Sequence, residues 1–191
     1  MEPNLREFLE KDETVLWQGE PEPMPLVENG NKTSVLCTWL VTAVIFGGLL
    51  AAYVSQNPQW SGAVAVAMVV IASVIILSPF YERLCVTRQK YYITNKRAIL
   101  AYDSRTFYAM DLSEIDDFKV VHELSNEDSL VLGSKLFEEA GKQLRWRAAH
   151  PLLDRNHTGA RIHAEAMVFY GIKNVGSAVD LLEGYDTKPF V

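Results

Sequence analysis

The longest stretch without a charged side chain covers residues 33–81, and it limits the folds open to this chain of 191 residues. A polar segment, 55–60, divides the stretch into two apolar blocks, about 34–54 and 61–78. An α-helix rises about 1.5 Å per residue, so about 20 residues cross the hydrocarbon core of a bilayer, which is about 30 Å thick. The pattern therefore predicts a transmembrane helical hairpin over residues 33–81.

Two buried helices of a soluble domain are the alternative explanation of these blocks. Such helices need a surrounding apolar shell, because each would be apolar on every face. The rest of the chain is polar, the formal net charge is -6, and the length is small for a core of that kind. The membrane hairpin is the favoured interpretation.

Charge is distributed unevenly along the chain. Residues 1–32 carry eight acidic and three basic side chains, residues 82–97 carry one and five, and residues 98–191 carry fifteen and ten. An extended basic face that would neutralise phosphates is therefore missing, and we expect no nucleic-acid partner.

The basic residues that follow the second apolar block decide the predicted orientation; they are Arg83, Arg88, Lys90, Lys96 and Arg97. The turn at 55–60 has no basic residue. Because basic residues close to a membrane stay on the cytoplasmic side, both termini and the soluble part are predicted to be cytoplasmic. The chain is then a multi-pass protein of the cell (inner) membrane.

Aromatic residues near the ends of the apolar blocks are candidate membrane-interface anchors; they are Trp17, Tyr53, Trp60 and Tyr81. For Trp17 an equally good alternative is packing on the soluble domain. Small residues in both blocks favour close helix packing, but their spacing is not a clean dimer motif, so homo-oligomer formation stays open. Pro79 is expected to close the second helix.

Beyond Cys85 the sequence changes to short segments rich in β-branched and aromatic residues. The predicted strands are 86–94, 98–102, 106–112, 118–122, 129–132 and 166–170. Asn95 tolerates the left-handed conformation of a tight hairpin turn, and a last helix is expected over 175–183 with Gly184 as its cap. Antiparallel strands closed by a helix make an α+β arrangement.

Three segments of this chain resemble the bacterial pleckstrin-homology-like (PH-like) membrane proteins; they are 15–21 (VLWQGEP), 91–100 (YYITNKRAIL) and 169–174 (FYGIKN). The resemblance implies two transmembrane helices followed by a β-sandwich or half-barrel capped by a C-terminal helix. It divides the chain into a cytoplasmic arm, the hairpin and a cytoplasmic PH-like domain, at 1–32, 33–81 and 82–191.

The segment 134–162 is longer and more polar than the loop that such proteins usually have there. Within it, 136–140 is expected to form a helical turn and 143–147 a strand. An insertion of this kind either recognises a partner or is merely tolerated, and the sequence leaves both open.

Patterns of catalytic or metal-binding residues are missing. The histidines at 122, 150, 157 and 163 lack the spacing of a helical zinc site, and two cysteines, Cys37 and Cys85, are too few for a metal framework. Neither a Gly-x-Ser-x-Gly turn nor a glycine-rich phosphate loop is present. We therefore expect no catalytic site, no metal and no cofactor.

The sequence predicts a non-catalytic integral membrane protein whose cytoplasmic PH-like domain binds protein, as an accessory or assembly subunit of a larger membrane complex. Its expected partners are membrane lipids and other membrane-protein subunits. The alternative is an anionic-lipid-binding or lipid-sensing protein that uses the five basic residues of 82–97 as headgroup contacts. Each charge near an anionic surface contributes about 1 kcal/mol, and the resemblance adds a ligand role for the hairpin residues Lys96 and Arg97.

Overall fold

The computed structural model describes residues 3–23, 31–122, 124–154 and 162–186. These residues fall into two compact units. The helical unit comprises residues 25–84, and the sheet unit comprises residues 1–24 and 85–191. Parts of the predicted arm (1–2 and 24–30) and of the predicted insertion (155–161) lie outside the described residues.

Two long apolar helices, α2 (Asn31–Gln56) and α3 (Gly62–Thr87), make up the helical unit, except for the last three residues of α3, which belong to the sheet unit. The prediction of two helices is confirmed. Both are long and apolar enough to cross a membrane. Trp39 on α2 donates its indole N–H to the carbonyl of Ile76 at 3.1 Å and stacks on Phe80 of α3 with ring centroids 5.9 Å apart. These contacts join the two helices side by side.

The predicted end of α3 at Pro79 is wrong, because the helix continues through this proline to Thr87. Proline has no backbone N–H, so the carbonyl of Ile75 loses its usual helical partner. The hydroxyl of Ser78 donates to that carbonyl at 3.1 Å and replaces the missing bond. The first predicted strand therefore cannot begin at Val86, which is still helical and is buried among residues of the sheet unit.

The sheet unit is built on a curled sheet that includes all eight strands of the described residues. The strands are β1 (Val15–Gly19), β2 (Lys90–Thr94), β3 (Arg97–Ala101), β4 (Phe107–Asp111), β5 (Phe118–Val121), β6 (Ser129–Leu132), β7 (Leu152–Leu153) and β8 (Ile162–Phe169). Their order is β1-β2-β3-β4-β8-β6-β5, and β7 pairs separately with β8. This is a half-barrel of the α+β class.

One strand pair corrects the expectation of a purely antiparallel sheet, because β4 and β8 run parallel. The eight-residue strand β8 uses its first residues, Ile162 and His163, to pair with β4, and its last residues, 167–169, to pair antiparallel with β6. A parallel pair needs a long crossover connection, and the fifty residues between β4 and β8 provide it. Strand β8 thereby joins the two halves of the sheet.

The N-terminal segment is part of the sheet unit rather than a separate arm. Strand β1 pairs antiparallel with β2, and Pro21 forms a bridge with Ile172. The short helix α1 (Pro3–Phe8) buries Leu5 completely, and Phe8 stacks on Phe107 at 4.7 Å between centroids. Residues on both sides of the hairpin in sequence therefore build one domain.

The predicted strand at 143–147 is wrong, since these residues lie in helix α4 (Gly141–Ala149). Leu144 and Ala148 are four residues apart, which places both on the buried face of a helix. The Gln143 side chain accepts the N–H of Ala140 at 3.0 Å and caps the first turn. The helix packs against β8, so this part of the insertion contributes to the core.

The last helix, α5 (Val175–Asp186), closes the curled sheet by burying Ala178 and Leu182 in its main core cluster. The prediction of this helix is confirmed, but its predicted cap at Gly184 is wrong because the helix continues for two more residues. Tyr185 packs against the same core cluster, and this contact supports the extra turn.

Candidate functional site

The basic residues predicted as lipid contacts belong to two different units. Arg83 is exposed on α3 within the helical unit, whereas Arg88, Lys90, Lys96 and Arg97 belong to the sheet unit. Lys90 lies 3.6 Å from Glu20, and Lys96 lies 3.2 Å from Glu10. Acidic residues of the N-terminal segment therefore partly neutralise both lysines.

Arg97 does not belong to the exposed basic cluster, which corrects its assignment as a headgroup contact. Its side chain is 6% exposed, and its guanidinium forms a two-bond ion pair with the fully buried carboxylate of Glu13. The hydroxyl of Thr94 donates to the same carboxylate at 2.8 Å. Burial alone would raise the pKa of Glu13, but the bonds from Arg97, the Glu10 N–H and Thr94 outweigh it and hold the pKa below its usual value.

The turn between β2 and β3 uses Asn95 differently from the prediction. The side chain accepts the N–H of Thr14 at 2.9 Å and donates to the carbonyl of Asp12 at 3.2 Å. Among the described non-glycine residues, only Asp12 and Asn174 have positive φ, so Asn95 does not adopt the left-handed conformation. Asn95 therefore fastens the N-terminal segment to the first hairpin, in the region where the resemblance placed a ligand site.

The candidate membrane anchors also occupy different surroundings. Trp17 packs on the sheet unit, where its ring stacks with Phe169 at 6.2 Å and its indole N–H donates to Ser177 at 3.1 Å. These contacts favour the alternative that the sequence left open for Trp17. Tyr53 lies at the turn of the hairpin, and its hydroxyl accepts the N–H of Ser61 at 2.9 Å. Trp60 and Tyr81 are exposed, as an interface role requires.

Two clefts border the C-terminal half of α5, and we call them together the α5 groove. The first, of about 170 Å³, lies between α5 and the segment 112–118. The second, of about 240 Å³, lies between α5 and the adjoining ends of β1 and β2, where Leu16 and Ile93 line it. Leu112 and Tyr185 line both clefts. Sequence analysis missed this groove, because its two sides come from segments far apart in the chain.

The borders of the α5 groove are acidic. Asp116 and Asp117 line the first cleft, and Asp180 lines the second. Hydrogen bonds from the side chain and backbone N–H of Ser134 hold the pKa of Asp116 below its usual value, so this carboxylate stays charged at neutral pH. Among the described residues that line the two clefts, none is Lys or Arg. Apolar side chains line both clefts beside these carboxylates, so the groove combines apolar and acidic side chains.

A second polar cluster joins Asp111, Glu114 and His163, whose ligand-type atoms all lie within 4.8 Å of one another. The imidazole Nε2 of His163 lies 2.8 Å from a carboxylate oxygen of Glu114. A histidine and glutamate pair explains this spacing without a metal ion. The Glu114 side chain is 54% exposed, and exposed acidic groups of this kind are common in proteins that bind no metal.

The core of the sheet unit contains a network of buried hydrogen bonds that links α4 to the sheet. Gln89 donates to the carbonyl of Ala148 at 2.7 Å and accepts the hydroxyl of Tyr91 at 2.9 Å, and Tyr91 in turn accepts the N–H of Tyr170 at 3.1 Å. Burial raises the pKa of both tyrosines, that of Tyr170 to about 12. Each of these polar groups has a hydrogen-bond partner inside the core, so the network stabilises the fold. The network has no exposed group that could bind a substrate.

Comparison of the chain with models of known protein families, with curated proteins and with solved structures finds no match.

Proposed function

We propose that this chain is a non-catalytic integral membrane protein, in which the helical unit spans the cell membrane as a hairpin with both termini in the cytoplasm. In this proposal the sheet unit is a PH-like domain that binds another protein, and the chain serves as an accessory or assembly subunit of a membrane complex.

The exposed apolar surface of the helical unit is the observation that carries the membrane part of the proposal. Large apolar side chains on both helices are exposed, among them Leu40, which is 67% exposed, and Val74, which is 64% exposed. Exposure to water costs about 25 cal/mol for each Å² of apolar surface, and soluble proteins rarely expose apolar patches of more than a few hundred Å². Lipid tails or the helices of another membrane protein remove this cost.

The arrangement of charges in the sheet unit favours protein binding over lipid binding. Arg97 is bound to Glu13, and Lys90 and Lys96 lie beside Glu20 and Glu10. Ion pairs of this kind reduce the attraction of a cation for an anionic headgroup. The alternative of an anionic-lipid sensor therefore has less support than a protein-binding role.

Purification from native membranes in a mild detergent tests the proposal. We expect the full chain to elute together with at least one other membrane protein, at a mass above that of the chain and its detergent. A single monodisperse species that contains only this chain would contradict the role as a subunit.

A variant in which residues 64–76 are scrambled at constant composition shows which unit makes the contact. If it inserts into the membrane but no longer elutes with the partner, the hairpin is the main interface. If the partner is retained, the sheet unit makes the contact.

A further inference from the structure

We propose that the α5 groove binds a basic segment with apolar side chains, of the kind found in the cytoplasmic loops of membrane proteins. This inference rests on the proposed function and adds to it the place and the chemistry of partner binding.

The sizes of the two clefts favour a polypeptide over a small molecule. Pockets for cofactors and drug-sized ligands usually have about 300–1,000 Å³. The clefts have only about 170 and 240 Å³, and they lie on either side of the same helix end. Two small adjoining clefts suit two separate side chains of one segment, as at the centre of many protein interfaces.

The apolar side chains in the lining of the two clefts indicate which side chains of a partner would enter them. Leu16 and Leu181 line the cleft on one side of α5, and Ile115 and Phe118 line the cleft on the other side. Leu16 is 54% exposed on the edge strand β1. Burial of such side chains by a partner is favourable, so apolar or aromatic anchors are expected in both clefts.

The acidic side chains around the groove indicate that the partner is positively charged. The segment 112–118 contains three acidic residues, and α5 contains three more, whereas neither contains Lys or Arg. Among the described residues, the lysines nearest in sequence are Lys119, directly after the first segment, and Lys173, just before α5. Neither lines the groove, and Lys119 lines a different cleft. Cytoplasmic loops of membrane proteins carry an excess of Lys and Arg, so they supply the matching charge.

A peptide-binding measurement tests this inference directly. The full chain is placed in nanodiscs of phosphatidylcholine, whose zero net charge avoids capture of the peptide by lipid. The probe is a dye-labelled peptide of Leu-Arg-Phe-Lys repeats, and a peptide of Leu-Glu-Phe-Gln repeats is the acidic counterpart. We expect the basic peptide alone to bind, with an affinity that falls as salt is added.

Charge removal in the groove should weaken binding of the basic peptide by about tenfold or more. The variant is Asp117→Asn with Asp180→Asn, which leaves the bonds between Asp116 and Ser134 in place. The matched control is Glu7→Gln with Glu138→Gln, which removes the same charge from exposed residues outside the groove. Equal weakening by both variants, or no weakening by either, would overturn the inference.

Photo-crosslinking in native membranes identifies the natural occupant. Benzoylphenylalanine is placed at Leu16 in the groove, and at Trp146, which is 46% exposed and lies outside it, as the control. We expect the Leu16 position alone to capture a Lys- and Arg-rich segment of a membrane protein, and this product to be lost in the variant with Asp117→Asn and Asp180→Asn. Capture of residues 187–191 of this chain, of a second copy or of an acidic segment contradicts the inference.

The two proposals fail in different ways. A partner that elutes with the chain whether or not Asp117 and Asp180 are replaced leaves the subunit role intact and rejects the groove. If no partner elutes with the wild-type chain, the subunit role fails, and the peptide measurement still decides whether the groove binds basic segments.

Discussion

Glu13 and Arg97 form a buried ion pair between the N-terminal segment and the first residue of strand β3. Thr94 completes the network, because its hydroxyl donates to Glu13 and accepts the backbone N–H groups of Lys96 and Arg97. Taking two charges out of water is costly, and removal of one partner leaves the other uncompensated inside the protein. The pair therefore makes the fold sensitive to single substitutions at either residue.

The replacement Glu13→Gln should destabilise the sheet unit by about 3–5 kcal/mol, because it leaves the Arg97 charge buried and unpaired. The measurement is a urea titration of the full chain in detergent, followed by intrinsic fluorescence. The control is Glu10→Gln, which breaks the exposed pair with Lys96 and should cost less than about 1 kcal/mol. A double variant with Arg97→Met should cost less than the sum of the two single changes, and simple additivity would contradict the coupling.

The stability of the sheet unit should also depend on pH through Glu13. Its pKa in the folded protein is below the usual value of 4.5, so the ionised carboxylate stabilises the fold above that pH. This contribution is lost as the pH falls through the folded-state pKa. Thermal unfolding of the wild type and of Glu13→Gln should therefore differ most near neutral pH and converge in acid. A difference that stays constant with pH would show that ionisation of Glu13 has no role.

Asn95 shows what a local sequence rule can predict about a residue and what it cannot. The sequence correctly predicts a turn at Asn95, because asparagine is a frequent turn residue. Its actual bonds reach Thr14 and Asp12, more than eighty residues away in the chain. A rule based only on neighbouring residues cannot predict hydrogen-bond partners that are so distant in sequence.

At the scale of elements, the end of β6 depends on a glycine. Gly133 has φ of 96°, and a Cβ atom at this position would lie 2.8 Å from the Cβ of Ala166 and from the carbonyl oxygen of Glu165. Both the backbone conformation and the close approach of β8 therefore require glycine.

The replacement Gly133→Ala should destabilise the sheet unit by about 2 kcal/mol or more, through the left-handed conformation and the overpacking against β8. The matched control is Gly176→Ala in α5, where a Cβ would meet nothing within 4 Å. Alanine usually stabilises a helix relative to glycine by about 0.5–1 kcal/mol, so this variant should be at least as stable as the wild type. The same urea titration measures both, and equal stability of the two variants would refute the argument.

Two elements show why their type or end was mispredicted from sequence. The segment 143–147 alternates apolar and polar residues like a strand, but Leu144 and Ala148 form a helical face that β8 completes. Pro79 usually ends a helix, but here the hydroxyl of Ser78 bonds to the carbonyl that the proline leaves without a partner. The contact with β8 depends on a segment distant in sequence, whereas the Ser78 bond is local but is not part of the general rule that proline ends a helix.

At the scale of the whole molecule, the predicted membrane topology can be tested by labelling single cysteine residues. Cys37 and Cys85 are the only two cysteines, so their replacement by serine gives a background without thiols. A single cysteine is then placed at Gln56, the last residue of α2 before the turn of the hairpin, or at Lys11 in the N-terminal segment. A membrane-impermeant maleimide added to intact cells or spheroplasts should label the first position and not the second, and inverted vesicles should give the opposite result.

Labelling of Lys11→Cys in intact cells or spheroplasts would show that the termini are outside. Labelling of both positions from either face would contradict a membrane-spanning hairpin altogether.

The sequence by itself determined the presence and approximate extent of the two apolar helices, most of the strands and the last helix. These features depend on length, hydrophobicity and local periodicity, all of which are properties of neighbouring residues. Only the tertiary structure decided that β4 and β8 run parallel, that Arg97 is buried against Glu13, and that the α5 groove exists. Each of these depends on segments far apart in the chain, which meet only when burial of apolar surface folds the sheet onto α5.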